Sequence, residues 1–162
     1  MRSSKIVIGP RPAGGKGLFA VEACARDEVL IDFRGYPVID RPTRISLQVD
    51  EDRHIEGSEE TNAYLNHGCD ASAYYDYAGV YLRARRDIAA GEEVTVNYDA
   101  GDLDLHEKFV CRCGSPRCVG LVQGFAHLSL ERQRALEDQL APYLRRRLGA
   151  GGTGRESGTR DP

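Results

Sequence analysis

The chain has 162 residues, of which 29% are charged and 41% hydrophobic, and its formal net charge is −3 at neutral pH. That length suits one domain with a substantial core, and the composition is that of a folded globular chain. The negative balance argues against a general nucleic-acid binder, and no apolar run approaches the ~20 residues that cross a bilayer.

Residues 5–8 (KIVI) predict a first strand, which Gly9 and Pro10 stop. This apolar stretch is shorter than the roughly 7–15 residues of a signal peptide, so export is not expected. An odd count of five cysteines, three of them closely spaced, suits a metal in a reducing cytoplasmic setting better than a disulfide framework. GGKGLFA (14–20) carries Gly15-x-Gly17-x-x-Ala20, the outline of a dinucleotide-binding turn. Pro10 and Pro12 separate it from the strand, and VEACARDE after it is too short for a crossover helix, which leaves a plain hairpin turn as the bland alternative. Strands are predicted at 29–33 and 36–39, around Gly35.

The next stretch, 49–60, reads as irregular and acidic: Asp50, Glu51, Asp52, Glu56, Glu59 and Glu60 face a single arginine, Arg53. It is either a solvated loop or a wall that attracts a Lys/Arg-rich peptide. VYLRARRDI (80–88) alternates in its first part, AAGEE (89–93) is a turn, and EVTVNY (93–98) predicts a strand. Leu136, Leu140, Leu144 and Leu148 predict a helix over 128–148, with Ser129 as N-cap and a bend at Pro142. Arg145, Arg146 and Arg147 suit the helix C-terminus, a contact with an acidic partner being the alternative. The tail, 149–162, has nothing to bury and is expected to be disordered.

CRCGSPRCVG (111–120) supplies three cysteines, whereas tetrahedral zinc takes four ligands. Cys24, between alanines, reads as a small buried hydrophobe. Cys69 lies in the polar segment YLNHGCD (64–70), two residues after His67, which is the other candidate for the missing ligand.

Four blocks in this order carry a resemblance. GKGLFA (15–20), YLNHGC (64–69), GEEVTVNY (91–98) and CRCGSPRCVG resemble the G-x-G turn, the N-H-S-C segment, the G-E-E-L-T-x-D-Y strand and the C-x-C-x4-C motif of SET-domain lysine methyltransferases with a post-SET zinc site. The likeness runs from about Ile6 to Gly120 and is weakest between 36 and 60. It implies a mainly β fold with short helices: several small curved β-sheets with pseudoknot-like threading near 66–98. The implied divisions are a SET domain over 1–106, a post-SET motif over 107–122 and a C-terminal helix over 123–148. A compact chain of this kind looks like a stand-alone, microbial-type enzyme.

The resemblance also implies roles. Cys69, Cys111, Cys113 and Cys118 would hold one structural zinc. Lys16, Gly17, Leu18, Asn66, His67 and Tyr98 would meet S-adenosylmethionine, the glycine permitting close approach. Tyr98 would stand at the reaction centre. Tyr64 and Tyr75, then Tyr74 and Tyr77, would line a lysine channel, and Val96 falls where relatives carry an aromatic that limits the number of methyls. The chain departs from the family pattern at Phe33, Ala63, Asn97 and Asp70-Ala71-Ser72. The implied activity is methylation of a lysine amine in a protein or a basic peptide, with no membrane or direct nucleic-acid partner. A non-catalytic binding module of the same fold, or methylation of a non-peptide amine, are the alternatives.

Overall fold

The computed structural model describes residues 1–12, 14–105 and 107–150. They form four small sheets. The first has the order β1 (Ile6–Pro10), β2 (Lys16–Ala20), β10 (Glu93–Val96), β7 (Asn66–His67). The others are β3 (Val29–Asp32) with β9 (Tyr81–Ala84) and β8 (Ala73–Asp76); β4 (Val38–Ile39) with β6 (Arg53–Ile55) and β5 (Leu47–Asp50); and the pair β11 (Phe109–Val110) and β12 (Leu121–Val122). The mainly β architecture of several small sheets is therefore as the sequence implied.

Alternation drives these strands. Leu18 and Ala20 of β2, Leu82 and Ala84 of β9, and Val94 and Val96 of β10 point inward. Together with Ile6, Leu30, Ile31 and Ile88 they make the main core. The glycine-rich stretch is the turn of the β1–β2 hairpin, where Gly14 and Gly15 take φ of 91° and 76°. Pro10 is tolerated in β1 because that strand lies at a sheet edge.

Three expectations change. The acidic stretch is not irregular: β5 and β6 form an antiparallel hairpin through it. The strand expected to reach Tyr98 ends at Val96, because the Asn97 side chain accepts from the Asp99 N–H and starts a 3₁₀ turn over Tyr98–Ala100. The helix expected over 128–148 is two, α1 (Leu130–Ala135) and α2 (Pro142–Ala150). Pro142 lacks an N–H and begins the second helix rather than bending one continuous helix, while Ser129 does cap α1. The tail expected over 149–162 lies outside the described residues apart from its first two, which end α2.

α2 and the segment before it build a second, smaller core of Ala100, Phe125, Leu140, Ala141, Tyr143 and Leu144. That core seats the turn after Tyr98: Tyr143 donates its hydroxyl hydrogen to the Gly101 carbonyl at 2.7 Å. From the outer face of α2, Arg146 reaches Asp50 at 2.7 Å and Arg147 pairs with Glu51. These arginines close on the acidic hairpin of the same chain.

Candidate active site and metal centre

The site grows from the parallel pairing of β7 and β10, in which Asn66 stands opposite Thr95 and His67 opposite Val96. On the other side of β10, pairing with β2 covers only Phe19 and Leu18, so Lys16 and Gly17 have no β10 partner and leave an open edge. Asn66 spans that opening. Its amide donates to the Lys16 carbonyl at 2.9 Å and to Glu93 at 2.8 Å. Glu93 also makes an ion pair with Arg11 at 2.8 Å. Gly17 is required by this arrangement, since a Cβ there would lie 2.4 Å from Glu93 Oε1 and 3.1 Å from Asn66 Nδ2.

His67 is buried, and burial lowers its pKa to about 4, so the ring is neutral at pH 7. Its Nδ1 accepts the Tyr98 backbone N–H at 3.2 Å, which assigns the proton to Nε2, and Nε2 lies 3.2 Å from Cys69 Sγ. The imidazole thus links the thiol cluster to the backbone of Tyr98. Tyr98 donates its hydroxyl hydrogen to the Leu65 carbonyl at 2.7 Å. Burial first, with the Asp102 charge adding to it, raises the phenol to about 12 and keeps it protonated. Phe109 completes an aromatic trio, its ring centroid 5.8 Å from His67 and 6.1 Å from Tyr98.

Cys69, Cys111, Cys113 and Cys118 bring their sulfurs within 4.8 Å of one another. The Cys69 and Cys111 sulfurs are 3.8 Å apart. Four thiolates at ~2.3 Å around a tetrahedral zinc lie ~3.8 Å apart, so the cluster fits that ion. With four sulfurs together, His67 is not needed as a ligand and its proton is free to face Cys69. Cys24 is buried, bridging β-fashion to Ile88 away from this cluster.

The structure thus brings together Lys16, Gly17, Asn66, His67 and Tyr98, and joins Cys69 to the three later cysteines. Leu18 is a core residue, registered against Ile8 and Val94. Val96 is buried in the same core. The tyrosines separate. Tyr64 lies under the Lys16 ammonium, which is 5.3 Å from its ring centroid. Tyr74 bonds Asp27, on the face of β8 opposite Tyr75. Tyr75 stacks between Phe33 at 6.1 Å and Tyr77 at 6.0 Å. Sequence reasoning gave no role to Phe109, Arg11 or Glu93. Phe109 lies two positions before the first clustered cysteine, and Glu93 was visible as the second acid of Gly91-Glu92-Glu93.

Residues 15–99, more than half of the chain, match the family model described as the SET domain. The chain belongs to the SET-domain family. A methyltransferase of Aspergillus flavus, flvH, is 33% identical to this SET protein over 86 residues, covering 52% of this chain and 48% of that one. A histone-lysine N-methyltransferase specific for H3 lysine-4 from Saccharomyces cerevisiae is 30% identical over 129 residues, 65% of this chain and 12% of that protein. The SET chain therefore spans about half the length of the first relative and about an eighth of the second. A candidate histone methyltransferase of Plasmodium falciparum superposes with a TM-score of 0.46 at 18% identity, covering 59% of this chain and 94% of that one.

Proposed function

We propose that this SET domain transfers a methyl group from S-adenosylmethionine to the side-chain amine of a lysine in a protein or peptide. The observation that carries the reading is the convergence on Tyr98: a protonated phenol held on the Leu65 carbonyl, next to Asn66–His67 and the open Lys16–Gly17 edge. S-adenosylmethionine, when bound, supplies an electrophilic methyl on a cationic sulfur. The free backbone edge and the Asn66 amide, whose oxygen makes no hydrogen bond among the described residues, suit the amino-acid end of that molecule.

The chain's own residues then have three tasks. Tyr98 keeps its hydrogen on Leu65 and so presents oxygen lone pairs to the reaction centre, where they orient an amine. Buried aromatic walls exclude water, which favours the neutral, nucleophilic form of a lysine whose ordinary pKa is ~10.4. Alignment of the reacting groups by such walls supplies much of the rate. The four cysteines hold a structural zinc, which fixes β11 and with it Phe109 against His67 and Tyr98. The specificity of the yeast relative for lysine-4 of histone H3 supports a lysine substrate here. A reducing cytoplasm is the setting that keeps all four thiols available.

The test is mass spectrometry of a lysine-peptide panel incubated with zinc-loaded protein and S-adenosylmethionine, beside Tyr98→Phe. Added methyls on lysine, reduced about 100-fold or more in the variant, are expected. Cofactor binding without product on any lysine overturns the substrate assignment, and absence of cofactor binding overturns the methyltransferase reading.

A further inference from the structure

Two arginines of α2 reach back across the chain to adjacent acids. Arg146 donates to Asp50 at 2.7 Å, and Arg147 grips Glu51 with Nε and a terminal nitrogen, one on each carboxylate oxygen. Consecutive residues of the helix thus meet consecutive residues where β5 turns into β6, 96 positions away.

This clasp is not what holds the two elements in place. Arg146 and Arg147 are 60% and 45% exposed, and Asp50 and Glu51 44% and 50%, a setting in which ion pairs contribute little. α2 is anchored by Tyr143 and Leu144 in the smaller core, while Ile55 and Val49 fasten the hairpin to the main core. The arginines therefore join elements that are each seated without them, and the contact calls for a use other than stability.

Its position suggests one. Arg145 and Arg146 stand on the rim of a groove of about 590 Å³ between the end of β8 and α2. Tyr75 and Tyr77 border that groove and also, with Val49 and Ile55, a small recess beneath the hairpin. Arg146 thus runs from the groove rim to the hairpin, across the way of a chain that lies along both. The hairpin also carries more negative charge than the clasp answers. Asp52 in the turn and Glu60 beyond it make no ion pair among the described residues, whereas Glu59 is taken by Arg44.

The guanidiniums seated on Asp50 and Glu51 show what these carboxylates accept: a planar cation with paired N–H donors. We propose that Arg146 and Arg147 act as an internal competitor, occupying carboxylates that an arginine-bearing flank of a protein substrate takes over when it enters the groove. One exposed guanidinium–carboxylate pair is exchanged for another, so opening the clasp loses little. The proposal rests on the methyltransferase reading for the identity of the incoming chain. It makes the end of α2 an autoinhibitory strap that arginine-containing chains lift and others do not.

The probe is an acetylated arginine tetrapeptide amide, which carries no lysine and tests the exchange apart from catalysis. Its binding to the zinc-loaded protein is measured by calorimetry at ~0.15 M salt. Arg146→Ala with Arg147→Ala is expected to bind it about fivefold tighter than the wild type, and Asp50→Asn with Glu51→Gln about fivefold or more weaker. Arg26→Ala with Arg134→Ala removes the same charge outside the clasp and should change binding less than about twofold. An equal gain in that control, no gain in the clasp variant, or undiminished binding in the acid variant overturns the proposal. A methylation assay separates the two readings. On lysine peptides with arginine flanks the clasp variant should show a KM lower by about fivefold, and on peptides with alanine flanks no such gain. Equal gains on both peptides overturn the competitor role. Binding of the probe as expected, with no methyl gained by any peptide, overturns the methyltransferase reading and leaves the clasp standing.

Discussion

At the scale of single residues, Asp102 and Gly17 act on stability in opposite directions. Burial raises Asp102 from 3.8 to about 6 in the folded protein, with repulsion from Asp99 second. A raised carboxyl contributes stability while it is protonated, and that contribution is lost as pH rises through 6. Ionised Asp102 therefore weakens the fold at pH 7.5. Asp102→Asn is expected to be more stable than the wild type there by about 3 kcal/mol, and equal to it below pH 4. Urea titrations at the two pH values check this. Gly17 serves both ends at once, because its missing Cβ lets Asn66 and Glu93 close over β2. Gly17→Ala forces Glu93 out of its contacts with Asn66 and Arg11. It should cost about 1–3 kcal/mol of stability and weaken S-adenosylmethionine binding at least about tenfold, measured by calorimetry. A full-affinity Gly17→Ala would remove the open edge from the cofactor site.

At the scale of elements, the β11–β12 pair is two residues per strand, with Val110 and Leu121 exposed. Such a hairpin is not stable alone, and the cysteine cluster takes the place of a core beneath it. Chelation of zinc is expected to abolish hydrogen-exchange protection from 109 to 122 and to spare β2, β9 and β10; retained protection would show that the metal is dispensable. The ion pairs from α2 to the β5–β6 hairpin are a different case. They are exposed, 60% and 44% for Arg146 and Asp50, and contribute little in salt. Arg146→Ala with Arg147→Ala should leave the melting temperature nearly unchanged at physiological ionic strength. Elements also mark where the sequence was readable. Alternation gave β9, β-branched and aromatic content gave β10, and the Cys spacing gave three of the four clustered cysteines, since these are short-range signals, whereas β2 was hidden in a stretch that reads as a glycine-rich turn. The β5–β6 hairpin was not visible because its partners are short and its acids are answered by Arg146 and Arg147, some 96 positions away. The end of β10 and the start of α2 depended on single side-chain devices, the Asn97 cap and Pro142, that compete with a longer periodic pattern.

At the scale of the whole molecule, the site has no single owner. β2 brings Lys16 and Gly17, β7 brings Asn66 and His67, the turn after β10 brings Tyr98, and β11 brings Phe109. The motif blocks named most of these residues because family resemblance preserves their order. The layout of the tyrosines was not legible, since which of Tyr64, Tyr74, Tyr75 and Tyr77 share a cavity depends on how Tyr77, just after β8, meets the smaller core, a contact that no local pattern encodes. The smaller core makes that contact. Tyr143 is fully buried, and Tyr143→Phe leaves the Gly101 carbonyl unanswered, a loss of about 1–3 kcal/mol by denaturant titration. Methylation of the best lysine peptide should fall with it if the turn moves, and should be unchanged if Tyr143 only fills space.

The Tyr143 bond to Gly101 has a consequence for synthesis. A ribosome releases the chain from its first residue onward, so β1 through β10 can pair before the later residues have emerged. The turn carrying Tyr98 and Asp102 then waits for a hydroxyl encoded 42 positions later. Until α2 has emerged and docked, the nascent protein holds its sheets without the hydroxyl that fixes the turn after Tyr98.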